Sequence, residues 1–498
     1  MPTELNYPHQ NPIDALLEYL RSRPNDVLLI DEHGLSLTYE ELYNKSAKLA
    51  NSLSRLGINY GDRIAIMMGN SVEAIISLFA AWMLGAATVM IDPLTISEDL
   101  DYQLSDSIPR VIITDKSVIE RESTVLSKYR VISIDTAKEN VLSFQDLLSA
   151  GSLIGFKPVE VKEDDVGLIY YYAGIAGRTM QVWHTYSSLY SGPYAFGEAI
   201  GLDHNDSVLV VAQLSHILGL TEFMSAFVRG ARALIAKRFD AKDTPELIHR
   251  YGVTVFAGVP LMFDQILNNK DLSSGMLSSL RLTLSAAAPL SQSTQLGFYQ
   301  RFGVPLVQFY GLTEAYVLTV QPIKYKDVTN TVGSAIPGSE LKIVNPNDPS
   351  RELGIGEVGE LTAKAPWVMK GYSDPEDTRR AFYNGWLLTG DLMTMDDKGL
   401  LYFKGVKKRM IKYKGYPIFP RDLEIMLMKH PAVKEVYVTG EQADDPSIGQ
   451  LPVAYVVLHD EYRGKITDKD LIDFVNSRVA FYKKLRKVYF VDRLPTKP

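Results

Sequence analysis

Cysteine is absent from the 498 residues. That excludes disulfides, thiolate catalysis and thiolate metal sites, and it fits a reducing interior, with the cytoplasm as the default compartment. An excess of basic charge is missing as well. The chain has 52 Lys and Arg against 59 Asp and Glu, a net charge of −7, whereas a nucleic-acid surface needs clustered cations. Small or mixed partners are expected, and no nucleic acid. No charged-then-apolar leader opens the chain, since Met1 to Pro12 is polar and interrupted by proline, so a secretory signal is not expected. Three catalytic signatures are missing too: the Gly-x-Ser-x-Gly elbow, the Gly-x-x-x-x-Gly-Lys-Ser/Thr phosphate loop and the His-Glu-x-x-His metal motif. One apolar stretch, Ala74 to Ile91, has eighteen residues without charge, at the short end of the membrane-spanning range. Gly85 divides it and Asp92-Pro93 ends it, so it reads as buried helix, turn and buried strand, and no membrane span is expected.

What is present describes a globular protein, with 46% hydrophobic and 22% charged residues. The length exceeds what one core supports, so two or more domains are expected. Thr38-Tyr39-Glu40-Glu41 forms a capping box, with Thr38 as N-cap and Glu41 at the third helical position, and Leu42, Leu49, Leu53 and Leu56 follow on one face. Gly57 and Gly61 end that region. Short apolar runs at Arg63 to Met68, Val111 to Thr114, Val208 to Val211, Ala233 to Ala236 and Val253 to Phe256 alternate with helix-length segments. This alternation predicts an α/β fold, a large N-terminal domain of parallel-rich sheets flanked by helices. From Gly333 closely spaced glycines indicate a small β-rich subdomain over 333–404. Beyond Gly405 a helix at Pro420 to Lys429, strands at Val433 to Thr439 and Val453 to Leu458, and a helix at Asp468 to Val479 predict a small α+β C-terminal domain. The expected division is 1–404, a connecting segment at 405–409, and 410–498.

Two segments carry chemistry. Tyr310-Gly311-Leu312-Thr313-Glu314 places a hydroxyl and a hard carboxylate on a glycine-containing turn, which can hold a phosphate and Mg²⁺. About seventy-five residues on, Gly385-Trp386-Leu387-Leu388-Thr389-Gly390-Asp391 offers a loop Asp able to take both hydroxyls of a ribose. Together they indicate a nucleotide site.

In this order and spacing the pair resembles the adenylate-forming superfamily of acyl-CoA synthetases, luciferases and peptide-synthetase adenylation domains. Further matches extend the resemblance from Thr38 to the C-terminus. Ser285-Ala286-Ala287-Ala288-Pro289-Leu290 looks like the family's adenine-binding turn, with Ala286 in place of Gly. Leu214-Ser215-His216-Ile217-Leu218-Gly219 resembles the segment whose His lies at the acyl pocket. Gly359-Glu360-Leu361, Lys370-Gly371-Tyr372, Thr378, Ile411 to Tyr416, Pro420 and Glu424 fall where this family has them. The resemblance implies an AMP-forming acid:CoA ligase in which an acid is joined to the α-phosphate of ATP and the acyl-adenylate is then taken by a thiol. It implies Thr313, Glu314 and His216 as catalytic residues, with Glu314 as the metal ligand. It further implies Gly174, Gly177, Ala286, Ala287, Ala288, Tyr310, Gly311, Thr313 and Asp391 around the nucleotide, and Lys414 and Gly415 at CoA. Lys408 would be the hinge of a mobile C-terminal domain. The cofactors and partners implied are ATP/AMP, Mg²⁺, a carboxylic acid, and CoA or the phosphopantetheine of a carrier protein. Phe309 and Ala286 add bulk that favours a short or flat acyl group.

Three departures oppose full activity. The phosphate loop reads Tyr172-Ala173-Gly174-Ile175-Ala176-Gly177-Arg178-Thr179-Met180-Gln181, with the family's hydroxyls gone and Met180 in place of its Lys. Gly405-Val406-Lys407-Lys408 carries Val406 where the family commonly has Arg. The family continues past the position of Pro498 with Ser-Gly-Lys, whose Lys bridges carboxylate and α-phosphate; either this sequence lacks a natural tail, or the protein ends here and makes adenylates poorly. Each lost donor costs about 3–4 kcal/mol of transition-state stabilisation. The alternative reading is therefore a catalytically impaired or partial-reaction relative that binds nucleotide, an acyl group or a protein partner.

Overall fold

The structure is a computed structural model that describes residues 5–136, 140–172, 179–407, 411–418 and 420–495. The uncharged stretch becomes helix α1 (Val72–Met83), a turn at Gly85 with φ +69°, and the strand Ala87–Met90. α1 is capped by Ser71 and buried at every position but Glu73, because sheet and helices enclose it; Trp82 donates from its indole N–H to the Gly167 carbonyl at 2.9 Å. Among the described residues no helix is long and apolar enough to cross a membrane.

Two sheets dominate. One has eight strands, parallel from Val166–Tyr172 through Ala87–Met90, Arg63–Met67 and Val111–Thr114 to Val141–Ser143. Strand β1 (Met180–Thr185) is added antiparallel to Val166–Tyr172. β1 leads into α2 (Tyr186–Ala199), capped by Thr185, and the strand Ser207–Val210 then leads into α3 (Ile217–Arg229). The second sheet has nine strands. Its parallel centre includes Ser207–Val210, Arg232–Ile235, Val255–Gly258, β2 (Leu282–Ser285) and β3 (Leu306–Leu312), after which β4 (Tyr316–Val320) turns back antiparallel. The expected strands at 208–211, 233–236 and 253–256 form one or two residues from where the apolar runs place them, since strand ends follow pairing and not hydrophobicity alone. The capping box at Thr38 and Glu41 is formed, and Leu42, Leu49 and Leu53 are fully buried.

The glycine-rich segment folds as a smaller antiparallel sheet that includes β5 (Trp386–Met395) and β6 (Leu401–Val406). Beyond it lie the hairpin β7 (Ile411–Tyr413) and β8 (Tyr416–Ile418), helix α4 (Pro420–Met428), and a three-stranded sheet of Val433–Gln442, Gln450–Leu458 and Lys487–Phe490. This last unit has its own core, built from residues such as Ile418, Leu423, Leu427, Val438, Val456 and Leu471.

Candidate functional site

The Thr313-Glu314 pair forms the turn of the β3–β4 hairpin. The ladder slips a register between Tyr310 and Gly311, and a Cβ on Gly311 would stand 1.8 Å from the Tyr316 carbonyl oxygen. Only glycine permits that approach. His184, at the end of β1 and fully buried, fixes the turn from below: its Nε2–H donates to the Thr313 carbonyl at 2.7 Å, and its ring meets Tyr316 edge-on at 4.7 Å. Burial disfavours the imidazolium and lowers the pKa to about 4, so the ring is neutral and its proton sits on the nitrogen facing that carbonyl. Glu314 is 3% exposed. Its backbone carbonyl accepts from Met369 N–H at 2.7 Å, and its Oε1 accepts from the Tyr372 hydroxyl at 2.6 Å.

Asp391 belongs to the interior of β5, which corrects the expectation of a loop residue. Gly390, at φ +73°, bends the strand, and its N–H and C=O are held by Glu360 Oε1 at 3.0 Å and Lys407 N–H at 2.6 Å. Lys407 Nζ pairs from the surface with the buried Glu360 Oε2 at 2.6 Å, which engages that cation. The Tyr310 hydroxyl donates to Asp391 Oδ2 at 2.7 Å and so joins the two motifs directly. Burial raises the Asp391 carboxyl above its usual range, against the Tyr310 bond and the charge of Lys412. Burial in turn pulls the Lys412 ammonium down, opposed by Asp391. The Tyr172 phenol is driven up by burial and by the charges of Glu314 and Asp391. Tyr172, Tyr310, Glu314, Asp391 and Lys412 therefore share one electrostatic environment. Val406 pairs with Asp391 across the β5–β6 ladder and presents no polar group to it.

The turn Ala286-Ala287-Ala288 leaves β2, which lies parallel to β3, so it emerges beside Phe309 and Tyr310 at the carboxyl ends of the strands. Such edges are where open α/β sheets bind ligands. Ala286 N–H bonds the Gly258 carbonyl at 3.1 Å, and Ala287 takes φ +68°, a conformation that costs an alanine free energy. His216 begins α3 and contacts Asp92 Oδ2 through Nε2 at 3.0 Å; its ring lies 6.1 Å from that of Tyr416. Burial pushes the Asp92 carboxyl up, but the bond and charge of His216, the Leu94 N–H and Arg121 outweigh it and hold Asp92 below its ordinary range.

Lys414 and Gly415 form the tip of the β7–β8 hairpin. Lys414 is exposed at φ +48° and its N–H bonds the Ile448 carbonyl at 2.8 Å, while a Cβ on Gly415 would lie 3.3 Å from Val259 of the large unit. Several ties hold the C-terminal unit against the rest. Lys483 Nζ bonds Asp99 at 3.1 Å and Asp422 at 3.3 Å, Asp422 accepts from Thr179 Oγ1 at 2.7 Å, and Lys429 pairs with Glu98. Met180 is 2% exposed and packed with Ala315, Leu318, Tyr372 and Leu387. Gly174, Gly177 and Lys408 lie outside the described residues.

Among the described residues no group of three or more His, Cys, Asp or Glu side chains could hold a metal on its own. One buried carboxylate and one hydroxyl at Thr313-Glu314 still suit Mg²⁺, which takes one or two carboxylates and fills its octahedron with substrate phosphates and water.

The family model described as AMP-binding enzyme matches residues 17–373, and that of the AMP-binding enzyme C-terminal domain matches 422–498. The chain belongs to the AMP-binding enzyme family, within the adenylate-forming superfamily, and is an enzyme of the AMP-forming ligase kind. It is 31% identical to 4-coumarate–CoA ligase 3 of Oryza sativa subsp. japonica over 97% of this chain and 90% of that protein. It is 32% identical to 4-coumarate–CoA ligase 2 of Nicotiana tabacum over 93% and 87%. Among solved structures it resembles a long-chain-fatty-acid–CoA ligase from Archaeoglobus fulgidus, with 26% identity, TM-score 0.82 and 98% of each chain covered. It also resembles a double mutant of o-succinylbenzoate CoA synthetase from Bacillus subtilis, with 26% identity, TM-score 0.84, and 97% and 95% covered.

Proposed function

We propose that this protein joins a carboxylic acid to CoA with cleavage of ATP to AMP and pyrophosphate. The observation that carries the reading is the Tyr310–Asp391 hydrogen bond at 2.7 Å, which brings the phosphate-type turn and the ribose-type carboxylate into one site beside Lys412. In this reading Asp391 takes the ribose hydroxyls, Ala286 to Ala288 line the adenine, and the Thr313 hydroxyl meets a phosphate. Glu314, fixed by Tyr372, would hold Mg²⁺ together with Thr313, and the metal would supply charge neutralisation at the phosphates. The acid carboxylate oxygen attacks the α-phosphorus and expels pyrophosphate; the thiol sulfur of CoA then attacks the acyl carbon and expels AMP. His216 stands at the acyl side, and Lys414 and Gly415 form the edge that CoA reaches. Residues 410–498 act as the small unit that turns about the segment at 405–409 between the two half-reactions. The basic character of Lys412 stands in for part of the cationic charge missing at Met180 and Val406.

Burial of Met180 and the placement of Val406 opposite Asp391 favour a second reading, in which only the thioester-forming half-reaction is efficient. Incubation with Mg-ATP, CoA and a pool of short, medium and aromatic acids, followed by mass spectrometry, tests the first. Acyl-CoA with AMP supports it. Acyl-CoA formed only from synthetic acyl-adenylate and CoA shifts the assignment to the second, and no acyl-CoA from either route contradicts both.

A further inference from the structure

Asp92, at the end of the long apolar stretch, is a carboxylate that neither half-reaction draws on so far. Its turn holds it firmly. Oδ1 accepts from the Leu94 N–H at 2.8 Å, and Arg121, at the end of the helix Lys116–Arg121, donates to the carbonyl of the adjoining Pro93. That leaves Oδ2, which meets His216 Nε2 at 3.0 Å. The two partners are placed unequally, the Asp92 side chain being 9% exposed and that of His216 39%. A buried carboxylate is costly unless it is paired. Against that burial, His216, the Leu94 N–H and Arg121 hold Asp92 ionised. An ionised carboxylate only accepts, so Nε2 carries the hydrogen and, in the neutral ring, the Nδ1 lone pair is free. Among the described residues no hydrogen bond is made to Nδ1, and although His216 is the N-cap residue of α3, its side chain makes no capping bond.

The exposed part of His216 borders the C-terminal unit. Tyr416, the residue after the Lys414-Gly415 tip, sets its ring edge-on to His216, stacks on Tyr482 at 4.6 Å and meets Phe481 edge-on at 5.4 Å. The hairpin edge assigned to CoA and the residue assigned to the acyl side therefore adjoin at this imidazole. The titratable and charged groups around the pair are Tyr416, Tyr482 and Arg121, with Glu122 paired to Arg121 at 3.0 Å and Asp99 and Lys483 behind Tyr482. Burial and then the charge of Asp92 drive the Tyr416 phenol up; burial drives Tyr482 up as well, with Lys483 opposing and Asp92 and Asp99 adding. Both phenols keep their protons at neutral pH and Arg121 keeps its charge, which leaves the imidazole as the group beside the hairpin able to take up a proton.

We infer that Asp92 is a positioning residue for thioester formation, fixing His216 so that Nδ1 receives the proton of the CoA thiol. The inference rests on the ligase reading. A thiol with a pKa of about 8.5 is mostly protonated at neutral pH, so an acceptor in place raises its reactivity. The S–H proton passes to Nδ1, the sulfur electron pair forms the bond to the acyl carbon, and the bond from that carbon to the phosphate oxygen breaks, its electrons leaving with AMP. Asp92 balances the imidazolium until it returns the proton to water.

Single turnovers of CoA with synthetic adenylates of short, medium and aromatic acids, between about pH 5.5 and 9, test it without ATP. The wild-type rate is expected to level off near neutral pH. His216→Ala should be slower by roughly a hundredfold at neutral pH, climb about tenfold per pH unit toward the ionisation of the thiol itself, and regain rate on addition of imidazole. Asp92→Asn, which keeps an acceptor for Nε2–H and loses the charge, should lower the plateau roughly tenfold or more and move the acidic limb of the profile to lower pH. Added to His216→Ala, Asp92→Asn should cost nothing further, because the carboxylate acts only through the ring. A wild-type rate that follows thiol ionisation throughout, or an equal loss from Asp92→Asn with and without His216, overturns the inference while acyl-CoA formation leaves the ligase reading standing. No acyl-CoA either from the adenylates or from Mg-ATP and acids overturns the ligase reading and the inference with it.

Discussion

The Tyr310 hydroxyl decides how well Asp391 is aimed. Tyr310→Phe removes one hydrogen bond to a charged group, typically about 1.5–3 kcal/mol. The KM for ATP should rise roughly tenfold or more, with the KM for the acid unchanged; an unchanged ATP dependence would show that Asp391 is positioned by β5 alone. His184 makes a pH prediction. Its folded-state pKa of about 4 lies below the unfolded value near 6.5, so the unfolded chain binds the proton first as pH falls. Its contribution to stability is fully present above about pH 6.5 and is lost on acidification toward pH 4, by about 3 kcal/mol in all. Urea denaturation of wild type and His184→Phe between pH 4 and 7 should show a shallower pH slope in the variant, and equal slopes would contradict the assignment. The sequence pointed to Thr313, Glu314 and Asp391 by side-chain type and spacing, and the fold brings Tyr310 of the first motif to Asp391. His184 was not legible there, since it lies in a buried strand, and Lys412 stood out only as one member of a basic run. Only the tertiary packing brings them to Thr313 and Asp391.

The strongest local constraint at the level of elements is the β3–β4 hairpin. Gly311→Ala places a methyl group inside the van der Waals radius of a backbone oxygen, which no rotamer can relieve. Destabilisation by roughly 3 kcal/mol or more is expected, together with loss of ATP binding. A melting temperature within a degree of wild type would show that the hairpin can reopen without cost. The sequence showed helices more sharply than strands. The capping box at Thr38 fixed a helix start, and Gly85 separated α1 from the following strand, because caps and glycines act locally. The strand at 255–258 lay two residues beyond its apolar run, since its ends are set by partners on either side. The expectation of a loop at Asp391 failed for a related reason: Gly390, at positive φ, sits within β5 without ending it, which glycine chemistry alone does not distinguish.

Across the whole molecule, Lys483 ties the C-terminal unit to the large one. Burial disfavours its ammonium, but Asp99 and Asp422 more than compensate and hold it protonated. Asp422 also takes the Thr179 hydroxyl, so the phosphate-loop flank and α4 meet at one carboxylate. Lys483→Met removes the cation and leaves two acidic side chains facing each other, which should loosen this arrangement. Faster limited proteolysis within 405–411 than in wild type is expected, and an unchanged cleavage rate would show that other contacts hold the units together. Acid-dependent exchange of labelled pyrophosphate into ATP tests the central claim most directly, because it reads activation of the acid at this site without CoA. The account predicts exchange in the wild type with a responsive acid and a loss of roughly a hundredfold in Asp391→Asn. Equal exchange by both proteins, or none by the wild type with any acid, would contradict it.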